Sequence, residues 1–346
     1  MVKKSAENSE EYELEDICEF TLAKQTGEEM GELPEGADVD IDVGKENDFE
    51  IKLTSEEWDE ETMGYKCRFF APNTEYGGII RDIESSTETR EVTLRGSTWR
   101  GMLGKKIIKP PEKEDHWILS GELNEVLRTL IGDRFGGLFV ISGISTGVKV
   151  ERWEVERFAV LYDEVMKLVE AHGHKLKIEY VQPSGLEYGY VSIRAEPVVD
   201  YSEEIEYSEE GNVNVNIRDC RNGVTHLICA GEGTNDERVT IDLYVQEDGS
   251  ISKQQYYTGE DEIEDLYEYT GADIEKLEEG GIKRLQELQN YVSCKTKVED
   301  MDLEVGDIVA GYDHITNTQV RKPITRKILK KQKGKIKIEY DVKGDS

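Results

Sequence analysis

The sequence predicts a mainly β fold with an α/β insertion, and three observations carry that reading. Apolar and polar residues alternate along several short runs, glycine or Asp-Gly punctuates the runs, and helical periodicity is confined to a few segments. The alternation is clearest at 212–257, where Val213, Val215 and Ile217, then Leu227 and Cys229, then Val239, Ile241, Leu243 and Val245 skip every second position. Period-2 patterning marks strands with one buried and one wet face. Asp248-Gly249 lies between two runs, where a two-residue hairpin turn needs positive φ, so the segment reads as an antiparallel sheet.

Taken in order, residues 1–17 are polar and acidic and read as a loose arm. Residues 18–111 form a first β domain, with Phe20/Leu22, Val39/Ile41/Val43, Phe49/Ile51/Leu53, Cys67/Phe69, Ile79, Ile80 and Ile83, and Val92/Leu94 as inward sets. Gly77-Gly78 and Gly96 interrupt these runs, and Trp99 opens a short turn or helix as an aromatic core anchor. Residues 112–190 read as an α/β module. Leu123, Val126, Leu127 and Leu130 form one helical stripe, and Val155, Phe158, Ala159, Tyr162, Val165, Met166 and Val169 a second, closed by Gly173. Leu176, Ile178 and Tyr180 then alternate as a strand.

Residues 191–297 carry the second β domain, flanked by acidic stretches at 203–210 and 260–268. It ends in a helical segment with Ile274, Leu277, Leu285 and Leu288, which Gly280-Gly281 is expected to interrupt. Residues 298–346 read as a small β-unit turning at Gly306-Asp307. Within it, 321–338 holds nine Lys or Arg and no acid.

Composition narrows the function. The chain has 346 residues, 37% of them hydrophobic, enough for two to four packed domains. Its 75 acidic and 43 basic residues give a net charge of -32, which repels nucleic-acid phosphate. That charge serves solubility or a salt-adapted host, or a surface that lies near DNA or other chains without adhering. Five scattered cysteines without C-x-x-C spacing argue against a zinc site or a disulfide framework and fit a reducing cytosol. No apolar stretch reads as a signal peptide or a membrane span, so no membrane partner is expected.

Chemistry-bearing motifs are sparse. His172 and His174 make an H-x-H pair, but they flank the helix-ending Gly173 and read as structural. Gly231-Glu232-Gly233 lacks the remaining residues of a phosphate loop and reads as a bulge or sheet corner. No G-x-S-x-G elbow or nucleophilic cysteine context is present. No catalytic, cofactor or metal residue is therefore assigned.

Several segments together resemble the tail or baseplate hub proteins of tailed bacteriophages and prophages. They are APNTEYGGIIRDIE at 71–84, EVTLRGSTWRGMLGKKII at 91–108, HLICAGEGTNDERVTIDLYV with Arg238, and LEVGDIVAGYDHITNTQVRKPITRKI with its L-x-V-G-D start. The order and spacing of the segments carry the likeness, over about residues 70–345. Gly96, Trp99, Gly231, Gly233, Arg238, Gly306 and Asp307 are its structural signature positions.

The resemblance implies a scaffold, not an enzyme. Its two β domains would be tail-tube-like and its terminal unit a small β-barrel. It implies a homotrimeric ring adapting a sixfold tail tube to a threefold tip and lining the DNA exit channel. The implied partners are a tail tube or distal tail protein, spike or fibre proteins and a tape measure protein. DNA would pass without specific binding. The implied location is the virion tail, with the host cytoplasm during assembly. The basic segment, with Lys330, Lys331 and Lys333, is a candidate partner surface or a solvated hairpin. Three other readings stay open: a tail-associated peptidoglycan hydrolase or peptidase, the hub or spike of a related injection system, and a carbohydrate-binding β-protein marked by Tyr256-Tyr257.

Overall fold

Alternating burial organises the strands. In Asp38–Val43 the residues Val39, Ile41 and Val43 are buried, and in Asp48–Thr54 so are Phe49, Ile51 and Leu53. Register keeps these sets on one side, since Val39 faces Ile51, Ile41 faces Phe49 and Ile51 faces Leu94. A computed structural model of the chain describes residues 19–112, 114, 116–183, 188–202, 213–234, 238–298, 303–313 and 315–342. The expected arm at 1–17 and the acidic stretch at 203–210 lie outside them. With 44% strand and 17% helix, the fold is mainly β. Among the described residues no helix is long and apolar enough to cross a membrane.

Contacts gather the chain into two units. The first comprises Met1–Val213, Lys297–Val309 and Pro323–Tyr340, and the second Asn214–Thr296, Ala310–Lys322 and Asp341–Ser346. Residues 298–346, expected as a small terminal β-unit, thus contribute to both.

The main sheet, most of whose strands lie in the first unit, includes in order Lys335–Val342, Thr318–Gln332, Asp38–Val43, Asp48–Thr54, Glu91–Thr98, Gly77–Ser86, Arg68–Phe70, Thr21–Ala23 and Glu29–Glu32. The strand Thr318–Gln332 pairs antiparallel with Asp38–Val43, so residues expected in a separate C-terminal β-barrel extend this sheet instead. The reason is pattern matching on both faces: Leu329 meets Ile41 on the buried side, and Lys330 meets Asp40 on the wet side. Lys333 (φ 52°) and Gly334 (φ 73°) make the two-residue turn into Lys335–Val342. Both central residues have positive φ, as the turn that suits strand twist requires.

The α/β module belongs to the same unit. Helix Leu123–Ile131 buries Leu123, Val126, Leu127 and Leu130, as its periodicity predicts. Glu122 caps it, accepting hydrogen bonds from the backbone N–H of Asn124 at 2.8 Å and Glu125 at 3.3 Å. The second helix starts later than its apolar stripe predicts, at Leu161, and runs to Ala171. Val155 instead ends strand Lys149–Val155, and Phe158 sits in a turn at φ 63° with 56% of its surface exposed. A short turn between strand and helix had supplied apolar residues at helical spacing by coincidence. Gly173 closes the helix at φ 67°. Strand His174–Val181 pairs antiparallel with Tyr190–Pro197, which pairs parallel with Phe139–Ile141. Trp99, Phe70 and Ile79 share one core with both helices and with Leu176, Ile178 and Tyr180.

The second unit holds a four-stranded sheet ordered Ile251–Ser252, Thr240–Val245, His226–Ala230, Glu264–Glu268. The expected alternation holds at Leu227, Cys229, Ile241, Leu243 and Val245, all buried. Two expectations change. Glu264–Glu268 joins in parallel, so the sheet is mixed. The hairpin closes with Gln246 N–H donating to the Ser250 carbonyl at 2.8 Å, leaving three residues in the loop, with Gly249 at φ 80°.

Helix Ile274–Leu288 lies on this sheet and passes through Gly280-Gly281 without interruption. A Cβ on Gly281 would stand 2.5 Å from the Cys229 Sγ and 2.8 Å from Leu243 Cδ1. One on Gly280 would stand 2.6 Å from the Tyr267 hydroxyl. The glycine pair is the close-approach face of the helix. Gly281→Val is expected to cost about 2 kcal/mol or more in urea unfolding, as overpacking does. Gly271→Ala, with nothing within 4 Å of its Cβ, should change stability by under about 0.5 kcal/mol.

Candidate assembly surface and signature residues

Each signature position has a local cause. Gly96 lies where Glu91–Thr98 crosses Phe49, and a Cβ there would stand 2.1 Å from the Ile79 carbonyl oxygen and 2.9 Å from the Phe49 ring. The strand then ends at Thr98, whose hydroxyl accepts from Gly101 N–H at 3.3 Å and caps helix Trp99–Leu103. Trp99 is fully buried and stacks on Tyr180, ring centroids 5.6 Å apart. Beside it stands a residue the sequence does not advertise. Arg100 is 2% exposed, its Nε donating to Glu75 at 2.8 Å and its Nη2 to the Leu176 carbonyl at 2.7 Å. Burial alone would lower its pKa, but the Glu75 carboxylate outweighs it and raises it. Its partners lie 25 and 76 residues away, beyond any local motif.

In the second unit Gly231 and Gly233 follow strand His226–Ala230, and Arg238 precedes strand Thr240–Val245. Gly231 N–H donates to the Val239 carbonyl at 2.8 Å, Glu232 N–H to the Ala272 carbonyl at 3.0 Å, and Gly233 takes φ 100°. Arg238 pairs with Glu268 of the edge strand at 2.9 Å.

Gly306 and Asp307 are joined to the α/β module within the first unit. Gly306 takes φ 104°, and a Cβ would stand 2.8 Å from the Lys175 Cβ. Asp307 is 1% exposed, and both its carboxylate oxygens accept from Lys175 Nζ at 2.8 Å. The carboxylate also accepts from the backbone N–H of Val199 at 3.0 Å and Glu304 at 3.1 Å. Glu304 pairs with Lys175 at 2.7 Å and with Lys177. Burial would raise the Glu304 pKa, but Lys177 and Lys175 overcome it and hold the carboxyl down at about 2. The same two acids raise the Lys175 ammonium against the opposing effect of burial.

The wet face of the main sheet carries a row of charged cross-strand neighbours in which two acids, Asp40 and Glu50, lie between Lys330 and Arg95. Lys330 stands opposite Asp40, Asp40 opposite Glu50, Glu50 opposite Arg95, and Arg95 opposite Asp82. Arg95 donates to Glu50 and Glu84, each at 2.7 Å, while Lys330 lies 3.8 Å from Asp40. The basic segment is therefore partly matched inside its own sheet. Lys331, 4% exposed and facing Val39, stands on the buried side, so it is not an outward contact. Lys327 is also buried, its Nζ 4.8 Å from the centroid of the Tyr76 ring. Lys333 at the turn is exposed. His172 and His174 bind backbone carbonyls, of Leu168 at 2.8 Å and His172 at 2.7 Å, consistent with a structural role.

Asp307→Ala is expected to destabilise the chain by roughly 3 kcal/mol, the low end for a broken buried pair, because Lys175 loses one of its two carboxylate partners and keeps Glu304. Glu304 gives a pH signature. Its folded pKa lies below the ordinary carboxylate value, so its contribution is present above about pH 4.5 and is lost as pH falls toward 2. By that shift it is worth on the order of 3 kcal/mol. Denaturant unfolding of Glu304→Gln should show lower stability at pH 7 and a shallower acid decline than wild type.

No protein-family model matches the sequence, and no curated protein does. Solved structures do match. The 43 kDa tail protein of prophage MuSo2 from Shewanella oneidensis aligns over 94% of this chain and 98% of its own, with 12% identity and a TM-score of 0.50. The prophage tail protein gp18 from Listeria monocytogenes EGD-e aligns over 95% and 94%, with 12% identity and a TM-score of 0.44. The tail protein from Neisseria meningitidis MC58 aligns over 93% and 96%, with 11% identity and a TM-score of 0.45. The chain has the fold of the MuSo2 tail protein, over nearly the whole length of both.

Proposed function

We propose that this chain is a structural protein of a phage or prophage tail, at the baseplate. The observation that carries the reading is the fold shared with a prophage tail protein end to end, 94% of one chain against 98% of the other. The segment order in the sequence points the same way.

At finer grain the proposed role is a homotrimeric hub. The β domains at 18–111 and 191–297 would be the paired tube-like modules, with 112–190 inserted between them in sequence. Three chains would present six modules to the tail tube or distal tail protein and three faces to spike or fibre proteins. The tape measure protein and DNA would pass through the centre. The charged row suits such a face, because a surface whose cations are already paired offers phosphate few free partners.

Light scattering on the purified full chain is expected to give three times the monomer mass, and the same protein should leave no cleared band on cell-wall zymograms. A cleared band would overturn the structural reading, and a monomer at high concentration would count against the preformed ring. For the basic hairpin, Lys333→Glu is expected to weaken association with neighbouring tail proteins at least tenfold in a pull-down titration while leaving unfolding unchanged. Lys330→Glu should cost stability as well, because it sets a third acid beside Asp40 and Glu50; adding Asp40→Lys should restore it.

A further inference from the structure

The second unit holds a cluster that the tail role does not use. His226 is 7% exposed, begins strand His226–Ala230, and stacks on Tyr244 with ring centroids 4.3 Å apart. Its Nε2 lies 2.9 Å from Asp242 Oδ1. Its Nδ1 lies 2.9 Å from Glu262 Oε1 and 3.3 Å from Glu264 Oε1. Glu264 stands opposite His226 in the parallel register. Glu262 is set by its loop, where Ile263 N–H donates to the Thr225 hydroxyl at 2.9 Å and that hydroxyl to the Asp261 carbonyl at 3.1 Å.

The proton count makes this arrangement unusual. A neutral imidazole has one N–H, and three carboxylates surround this ring. The ring of a side chain more than nine-tenths buried is thus met by carboxylates at both nitrogens, and on the Nδ1 side one nitrogen and two carboxylate oxygens converge on a single point. The separations fit a cation. Bonds of about 2.0 to 2.2 Å to a first-row divalent metal place neighbouring donors roughly 3.0 Å apart in octahedral geometry and about 3.4 Å apart in tetrahedral geometry. Here the imidazole nitrogen is 2.9 and 3.3 Å from the two carboxylate oxygens, and all three donors lie within 4.8 Å of one another. Asp242 supplies the carboxylate that orients a metal-bound histidine through its other nitrogen. Gln255 Nε2 donates to Glu262 Oε1 at 2.7 Å and orients that ligand in turn.

We propose that His226 Nδ1, Glu262 and Glu264 form a binding site for a first-row divalent transition metal such as zinc, with Asp242 positioning the imidazole. One nitrogen and two carboxylate donors favour such a metal over calcium or magnesium, which take oxygen ligands. The Glu264 side chain is 59% exposed, so the site opens to solvent and metal can enter. Binding would tie the 259–263 loop to two strands of the sheet.

The test is equilibrium dialysis of the metal-stripped full chain against zinc, with thermal unfolding followed in parallel. One equivalent per chain and a rise in melting temperature are expected. Glu264→Gln, at an exposed side chain that folding does not require, should weaken binding at least tenfold and abolish the rise. Asp242→Asn should weaken it about ten- to a hundredfold, while His172→Ala should leave it unchanged. Cobalt in place of zinc should give a visible absorption band that disappears in Glu264→Gln. No uptake by the wild-type chain would overturn the proposal. Undiminished uptake by Glu264→Gln would overturn it equally, because the metal would then bind elsewhere.

Discussion

The Lys175–Asp307 ion pair is the interaction on which the first unit most depends. Strand His174–Val181 and the L-x-V-G-D turn are 132 residues apart in sequence, and one buried ammonium joins them. A buried charge stripped of its partners costs several kcal/mol, and Lys175 is held by two acids, Asp307 and Glu304. Satisfaction is complete on the acid's side: two bonds from Lys175 and two from backbone N–H groups. Geometry reinforces charge, since Gly306 has positive φ and no room for a Cβ against Lys175. The Gly-Asp pair is thus a docking device: the glycine permits the approach and the aspartate fastens it.

How much of this was legible in the sequence follows from how local each cause is. Strand alternation and the helix at Leu123–Leu130 were legible because periodicity is a property of neighbours in sequence. Trp99 as a core anchor was legible because a large apolar side chain after a strand has few other uses. Gly280-Gly281 was misjudged, since a glycine pair signals a break until Cys229 and Leu243 are known to lie beneath it. The stripe that ran back from Tyr162 to Val155 failed because Phe158 keeps helical spacing while its backbone turns at positive φ. Arg100, Lys175 and the His226 cluster were not legible at all. Their partners come from other elements, and only the assembled fold brings them together.

Charge shows the same dependence on the fold. The sequence displays an acidic chain with one basic segment, as though the two were separate. In the sheet, the basic strand lies against Asp38–Val43, and Lys330, Asp40, Glu50, Arg95 and Asp82 form successive cross-strand neighbours. Two lysines of the segment, Lys327 and Lys331, turn inward. Much of the apparent basic patch therefore stabilises the sheet. What faces outward includes Arg321, Lys333 at the turn and Lys335.

Glycines bring strand to strand and helix to sheet at separations no side chain would allow, and buried ion pairs fix elements distant in sequence. The proposed hub role adds one demand, that copies of the chain close around an opening. Electron microscopy of the purified full chain tests that most directly. The account expects threefold ring-shaped particles with a central opening wide enough for duplex DNA. Particles with no rotational symmetry, or a ring whose centre is filled, would contradict it.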